Sequence, residues 1–546
     1  VTAAGAVLVG CGGGSSAPAT SAATDPVAAY RPVACHRPLA APVTATPVPG
    51  VSSDWTVTSF DGTLIRAHWF PVAGATPSHP APTVFMGPGW SESGDTDLSG
   101  TGDLFGTLSI PALHRAGFNV LTWDPRGFGK STGTVEVDSP DYEARDVSRL
   151  IDWVSTRPGV ELDAPGDPRM GMVGGSYGGG IQWVTAAQDC RVDAITPTIS
   201  WHSLTTSLDK TGIAKTGWGN LLLDAAAGDS LDPHIRSASA SGNATGQVGA
   251  ADAAWFAARG PASLVAQVHV PTLIVQGTVD TLFTLDEGIT NYRQVRHDGV
   301  PVSMLWYCGG HGVCLTNQGN PTTVERATIA WLERWVTRDA AVSTGPRVDL
   351  IDQHGVRYAA ADYPLPSGGA LRGTGSGTLS LVATGGSGPF HESSNQPGAS
   401  SALAGAAFSI LPARAANAVD VAVHAGGHRS LVVGAPLLSL TYRGTTGSGP
   451  RPTRVFAQLV DDSTGLVVGS QVTPVALTLD GATHTTTTPL EVISHSMASG
   501  QTLTLQLVAT TVAYAQPQLG GTVDFSHVGV SLPVVAPSSV HVSTQP

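Results

Sequence analysis

Ser176 stands in Met170–Gly179, M-G-M-V-G-G-S-Y-G-G, where an apolar run ends among glycines at 174, 175, 178 and 179. A serine at the tight G-x-S-x-G bend between a strand and a helix has its hydroxyl exposed for attack on a carbonyl. That hydroxyl needs a base, and the base needs an orienting group. Both follow in the chain. Pro271–Asp280, P-T-L-I-V-Q-G-T-V-D, is an apolar run, a glycine turn and then Asp280. Cys308–Gly312, C-G-G-H-G, places His311 in a glycine-rich loop after the next apolar run. In this reading His311 takes the serine proton and later protonates the leaving group, while Asp280 fixes the imidazole tautomer and stabilises its cation. Asp286 is close enough in sequence to substitute for Asp280, and His202, beside Trp201, is the main competing histidine.

The oxyanion that develops on the attacked carbonyl needs preorganised N–H donors. Tyr177, which follows the nucleophile, offers one backbone N–H. Gly87-Pro88-Gly89-Trp90 follows an early strand and offers the second, from Gly89 or Trp90. Trp90, Trp201 and Tyr177 are the expected lining of an apolar acyl pocket. Asp124 and Arg126 are read as an ion pair bracing the following loop. The chemistry requires no metal and no organic cofactor.

Positioning these groups takes alternating strands and helices. Trp55–Phe60 and Leu64–Phe70 alternate around Asp61-Gly62, a hairpin signal. Thr83–Met86, Phe118–Trp123, Met170–Val173, Val192–Ile199, Val270–Gln276 and Val302–Tyr307 read as buried strands. Val147, Leu150, Ile151 and Val154 form a helical stripe within Tyr142–Thr156; Ile181–Ala187 and Thr322–Val336 are further helices. This rhythm predicts a parallel, doubly wound sheet. Between Trp201 and Val265 it is interrupted by helical segments (Trp218–Ala227, Ala250–Ala258). An insertion at the carboxyl edge of such a sheet is expected to cap the ligand crevice; the alternative is a peripheral helical decoration. From about residue 341 helical stripes vanish, and short runs such as Ser430–Thr441, Arg454–Leu459 and Thr502–Val508 predict a β-sandwich of jelly-roll type. The expected organisation is a tether over 1–45, a catalytic α/β domain over 46–340 with its cap at about 202–265, and a sandwich over 341–546.

The 546 residues exceed a single typical core, and a net charge of −13 argues against nucleic-acid binding. Only three lysines occur: Lys130, Lys210 and Lys215. Leu8-Val9-Gly10-Cys11, followed by a Gly-, Ser-, Pro- and Ala-rich stretch, resembles the lipobox of bacterial lipoproteins, so Cys11 is the expected lipid-anchor site of an exported, cell-surface or secreted protein. Among the other cysteines, Cys308 and Cys314 bracket His311 and could staple its loop, leaving Cys35 with Cys190; the alternative is four free thiols.

Asp124-Pro-Arg-Gly-Phe-Gly-Lys-Ser-Thr-Gly133, Ile151-Asp-Trp-Val154 and Gly174-Gly-Ser-Tyr-Gly-Gly179, with Asp280 and His311 in order, resemble the X-Pro dipeptidyl-peptidase and cocaine-esterase family of serine hydrolases. Gly434-Ala-Pro-Leu-Leu438 is similar to a strand entry of that family's carboxyl-terminal jelly roll. The resemblance spans roughly residues 50–540. It implies an α/β-hydrolase core with a helical cap insertion and a C-terminal, galactose-binding-like β-sandwich, acting on small esters or short peptides through an acyl-serine. Family members often carry a tyrosine in the oxyanion loop; here Gly87–Trp90 has none, which leaves backbone donors for that task. The competing reading is a cell-surface module that binds carbohydrate or peptide without substantial catalysis.

Overall fold

Runs of five or six residues that are buried throughout, such as Thr272–Gly277 and Met170–Gly175, can be satisfied only in a sheet covered on both faces. In the computed structural model, which describes residues 42–100, 108–391 and 407–543, they form the middle of a twelve-stranded sheet. Its strands are β1 (Ala45–Pro47), β2 (Asp54–Thr58), β3 (Leu64–Phe70), β4 (Thr83–Gly87), β5 (Asn119–Trp123), β6 (Met170–Gly175), β7 (Ala194–Thr198), β8 (Thr272–Gly277), β9 (Val302–Tyr307), β10 (Val348–Ile351), β11 (Arg357–Ala360) and β12 (Val540–Val542). The spatial order is β1-β2-β3-β5-β4-β6-β7-β8-β9-β10-β11-β12. From β5 to β10 all neighbours are parallel. The order reverses at β5-β4-β6, so the crevice for a ligand opens at the carboxyl ends of β4 and β6.

Alternate residues of these strands feed two different cores. Met172, Ile195, Ile274 and Met304 pack with Val147, Ile151, Val184 and Tyr292, from helices Glu143–Val154, Tyr177–Gln188 and Leu285–His297. Val173, Leu273, Val275 and Leu305 pack instead with Leu113, Trp331 and Leu332, from helices Ile110–Arg115 and Thr323–Trp335. The period of two in the strands and of 3.6 in the helices therefore yields a doubly wound sandwich of layers. Between β7 and β8, helices Leu204–Leu208, Thr216–Ala225, Pro233–Thr245 and Ala250–Ala257 form a separate apolar cluster with Trp90, Phe128 and Tyr177 over the carboxyl edge.

Beyond residue 360 the chain builds two antiparallel sheets. One holds Ser367–Ser380, Ser430–Gly434, Leu437–Thr446, Asp480–Pro489, Ile493–Met497 and Gly521–Val535; the other holds Ala418–His424, Arg454–Asp461, Thr473–Ala476 and Thr502–Val508. Leu379, Val421, Leu440 and Leu505 meet in the core between them. The run Ser430–Thr441 is thus two strands, broken at Gly434 (φ 126°) and Pro436.

Two expectations are corrected. The boundary placed at residue 341 falls too early: β10 pairs in parallel with β9, and β11 with β10 and β12 with β11 continue the same sheet antiparallel. An antiparallel hairpin of short strands has the same alternation wherever it docks, so composition alone assigned β10 and β11 to the sandwich. Asp124 and Arg126 do not pair. Arg126 makes a bidentate pair with buried Asp146 (2.7 Å for each bond) and reaches Asp61 at 3.1 Å, while Asp124 is bonded to His68 and accepts the amides of Gly94 and Lys130. Both residues still brace the loop, through partners distant in sequence. Cys11, Cys35 and nearly all of the expected tether lie outside the described residues. Among the described residues no helix is long and apolar enough to cross a membrane.

Candidate active site

Ser176 closes β6 and opens helix Tyr177–Gln188 with φ 56° and ψ −116°, a strained conformation for a residue with a side chain. Its amide donates to Thr198 O at 2.9 Å, anchoring the bend on the next strand. Glycine at 178 is demanded by space. A Cβ there would sit 2.6 Å from Gly87 C and 2.9 Å from Pro88 O, and nearer still to Gly87 O. Helix and β4 can approach this closely only without that side chain.

The three residues expected to act together do converge. His311 Nε2 lies 2.7 Å from Ser176 Oγ, and His311 Nδ1 lies 2.8 Å from Asp280 Oδ2. All three are buried, Asp280 completely. Asp280 Oδ2 also accepts the His311 amide (3.2 Å), while Oδ1 accepts the amides of Leu282 (3.0 Å) and Phe283 (2.8 Å). The carboxylate is therefore locked before it meets the imidazole. Phe283 and Trp218 each set a ring edge-to-face with His311, at 5.1 and 5.7 Å. A disulfide joins Cys308 to Cys314 around the histidine loop, as one of the two sequence alternatives expected. The competitors lie elsewhere: His202 Nδ1 is 2.7 Å from Asn291 Oδ1, and Asp286 sits beside Glu491 and Lys210.

The Tyr177 amide occupies the first helical position, where no intrahelical acceptor exists. Of the two amides weighed in the turn after β4, that of Gly89 donates to Glu92 Oε2 at 2.9 Å. The Trp90 indole donates to Leu222 O (2.8 Å) and Ser91 Oγ to Ala225 O (3.0 Å), so the turn is tied to cap helix Thr216–Ala225. The rings of Trp90, Phe128 and Tyr177 pack mutually edge-on at 5.2 to 5.6 Å.

A cavity of about 110 Å³ adjoins Ser176 under the cap, lined by Trp90, Tyr177, Trp201, Leu222, Ile235, Phe256 and Phe283 among others. All three expected pocket aromatics line it. Its charged lining residues are Asp209 and Lys215. Beneath the elbow, the Tyr177 hydroxyl donates to Glu143 Oε1 (3.3 Å) and accepts the Asp138 amide (3.3 Å). Burial pushes Glu143 up to about 8, and burial together with Glu143 pushes Asp138 well above the ordinary carboxylate range.

Sequence reasoning missed the groups that hold the acid loop from outside. Gln471, in the sandwich, donates to Asp280 O at 2.9 Å. Trp218 Nε1 donates to Thr281 Oγ1 (3.0 Å), and Thr284 Oγ1 donates to Glu491 Oε2 (3.0 Å). Glu491 is buried, and Lys210, to which it is paired, holds its carboxyl down to about 2 against the opposing effect of burial. The scarcity of lysine was the one available signal: Lys210 and Lys215 are both at this junction.

Residues 61–312 match the profile of the X-Pro dipeptidyl-peptidase family, S15. The chain is similar over 91% of its length to a CocE/NonD family hydrolase from Staphylococcus aureus, covering 97% of that chain with a TM-score of 0.62 at 13% identity. It is similar to an aminopeptidase from a marine sediment archaeon, Thaumarchaeota archaeon, over 90% of its own length and 97% of the other, with a TM-score of 0.62 at 12% identity. These likenesses show a shared fold. Over 84 residues, 15% of the chain, it is 36% identical to an uncharacterized 31.7 kDa Escherichia coli protein of the traX-finO intergenic region. The chain spans 28% of the length of that curated relative.

Proposed function

We propose that this chain, whose residues 61–312 match the S15 family profile and whose fold is that of a CocE/NonD family hydrolase, is a serine hydrolase cleaving carboxylic ester or peptide amide bonds through an acyl-serine intermediate. The observation that carries this reading is the hydrogen-bonded array Ser176–His311–Asp280, with links of 2.7 and 2.8 Å, beside an apolar cavity. Ser176 Oγ attacks the carbonyl as His311 Nε2 takes its proton. The amides of Tyr177 and Trp90 receive the oxyanion. Asp280 stabilises the imidazolium, which then protonates the leaving group. Water, activated by the same imidazole, releases the acyl group.

The lining favours an apolar acyl group, which supports short aryl or alkyl esters as substrates. Removal of X-Pro dipeptides is the second reading, favoured by the family profile over residues 61–312. Export to an oxidising compartment is supported by the Cys308–Cys314 disulfide. Labelling by a fluorophosphonate that disappears in Ser176→Ala is the expected result. A folded protein that is neither labelled nor turns over any acyl substrate would leave the binding-module reading in its place. Comparing an X-Pro amide with aryl esters separates the two enzymatic readings: turnover of esters alone rejects the peptidase.

A further inference from the structure

We propose that Lys215 is a positioning residue of the catalytic array, its ammonium acting on Asp280 through the two peptide groups that hold the carboxylate. This rests on the serine-hydrolase reading above. Asp280 Oδ1 accepts the N–H groups of Leu282 and Phe283. The carbonyls of those same two peptide units belong to Thr281 and Leu282. Each of them accepts a hydrogen bond from Lys215 Nζ, at 3.0 and 2.9 Å. Cation, peptide and carboxylate therefore form two parallel chains of the form N⁺–H···O=C–N–H···⁻O. Hydrogen bonds in such a chain polarise one another, so the charge on Nζ strengthens both amide donors at Asp280.

A charge is not needed merely to satisfy two carbonyls. A neutral donor would do so without the cost of burying an ammonium, and Lys215 as a residue is only 3% exposed. The loop has other supports, since Gln471 and Trp218 hold Asp280 O and Thr281 Oγ1. What those neutral groups lack is the field. The charged and titratable groups facing Lys215 come from three directions: Asp280 and Glu287 from the core, Lys210 from the cap, and Glu491 with the Tyr514 ring (5.7 Å) from the sandwich. Glu491 is paired directly with Lys210 and shares the field of Lys215, whereas Asp280 is the carboxylate that Lys215 reaches through hydrogen-bonded peptide groups.

Burial lowers the Lys215 ammonium to about 8, so its charge can be removed within an accessible pH range. The experiment measures fluorophosphonate labelling rates and aryl-ester kcat and KM from neutral to alkaline pH, for the native chain, Lys215→Met and Ser176→Ala. Native kcat is expected to fall about tenfold as pH rises through the Lys215 titration, the scale of losing one charged hydrogen-bond donor. Lys215→Met should be slower by about the same factor at neutral pH, with KM little changed and the alkaline fall gone. A folded Lys215→Met with native kcat, or one that keeps the native alkaline fall, overturns the proposal. If Lys215→Met does not fold, the native profile decides alone: a rate that stays level through the titration overturns it. A native chain labelled no faster than Ser176→Ala refutes the serine-hydrolase reading itself, an outcome distinct from either.

Discussion

Replacing Gly178 by alanine tests whether the closeness of β4 and the nucleophile helix sets the rate. The new Cβ would fall within 3 Å of Gly87 C and Pro88 O, and closer still to Gly87 O. All three are main-chain atoms, so no rotamer change relieves the clash. Ordinary van der Waals contact begins at 3.4 Å, and restoring it at Gly87 C alone requires a shift approaching 1 Å. That shift must separate the helix carrying Ser176 and the Tyr177 amide from the turn carrying the Trp90 amide. A displacement of about 1 Å between nucleophile and oxyanion donors costs on the order of a hundredfold in rate. The overpacking costs a further 1–3 kcal/mol of stability, roughly. Aryl-ester kcat and the fluorophosphonate labelling rate should both fall about a hundredfold. Thermal unfolding should show a folded protein with a lowered midpoint. Gly228→Ala is the control, since a methyl group there would meet nothing within 4 Å. Native kcat in Gly178→Ala with an unchanged unfolding midpoint would refute the reasoning.

Three further outcomes are expected. Asp280→Asn, with its Oδ1 still accepting from Leu282 and Phe283, turns an NH₂ group toward His311 Nδ1 and forces the wrong tautomer; kcat should drop by about 10⁴ with little change in folding, as steady-state kinetics and circular dichroism will report. Replacing Cys308 and Cys314 together by serine opens the clamp around His311; a loop this short implies a loss of about 2 kcal/mol, read by denaturant unfolding, and kcat should fall with it. Glu143 binds its proton more tightly in the fold, at about 8 against an ordinary 4.5. A raised acid stabilises the fold below its unfolded value and loses that contribution as pH rises through its folded one. Asp193 and Asp286, both pushed by burial to about 7, act in the same direction. The unfolding temperature should therefore decline from weakly acidic to weakly alkaline pH, and Glu143→Gln should flatten that slope by a few degrees; an unchanged slope removes Glu143 from the account.

The parts of the site legible in sequence are those encoded by short segments. The Ser176 bend, the glycine turn before Asp280 and the bracketed His311 each announce themselves within ten residues, because a tight turn after a buried strand restricts which residues fit. Val302–Tyr307 and Thr502–Val508 have the bounds expected of them, as short segments rich in apolar and β-branched residues that are buried along most of their length. Side-chain partnerships between separate elements, from 20 to 281 residues apart, were not legible. Gln471 on Asp280, Glu491 on Lys210 and Arg126 on Asp146 join ordinary polar residues whose neighbours in sequence carry no trace of the match. Gly89 shows a finer limit. Its turn was recognisable, but the Glu92 carboxylate that occupies its amide depends on a side-chain rotamer no pattern encodes.

Strand β12 gives the sandwich a topology that its composition conceals. The chain leaves the large sheet after β11, builds the sandwich, and returns to lay Val540–Val542 beside Tyr358–Ala360. The sandwich is therefore an insertion moored at two points, with none of the swivel of an appendage on a single linker. A single proteolytic cut would not free it. Synthesis runs from the amino terminus, so the edge of the catalytic sheet stays open until every sandwich strand has been made. The last strand of the large sheet is thus made after the sandwich, and the loop bearing Asp280 takes a hydrogen bond from Gln471, a residue of that inserted part.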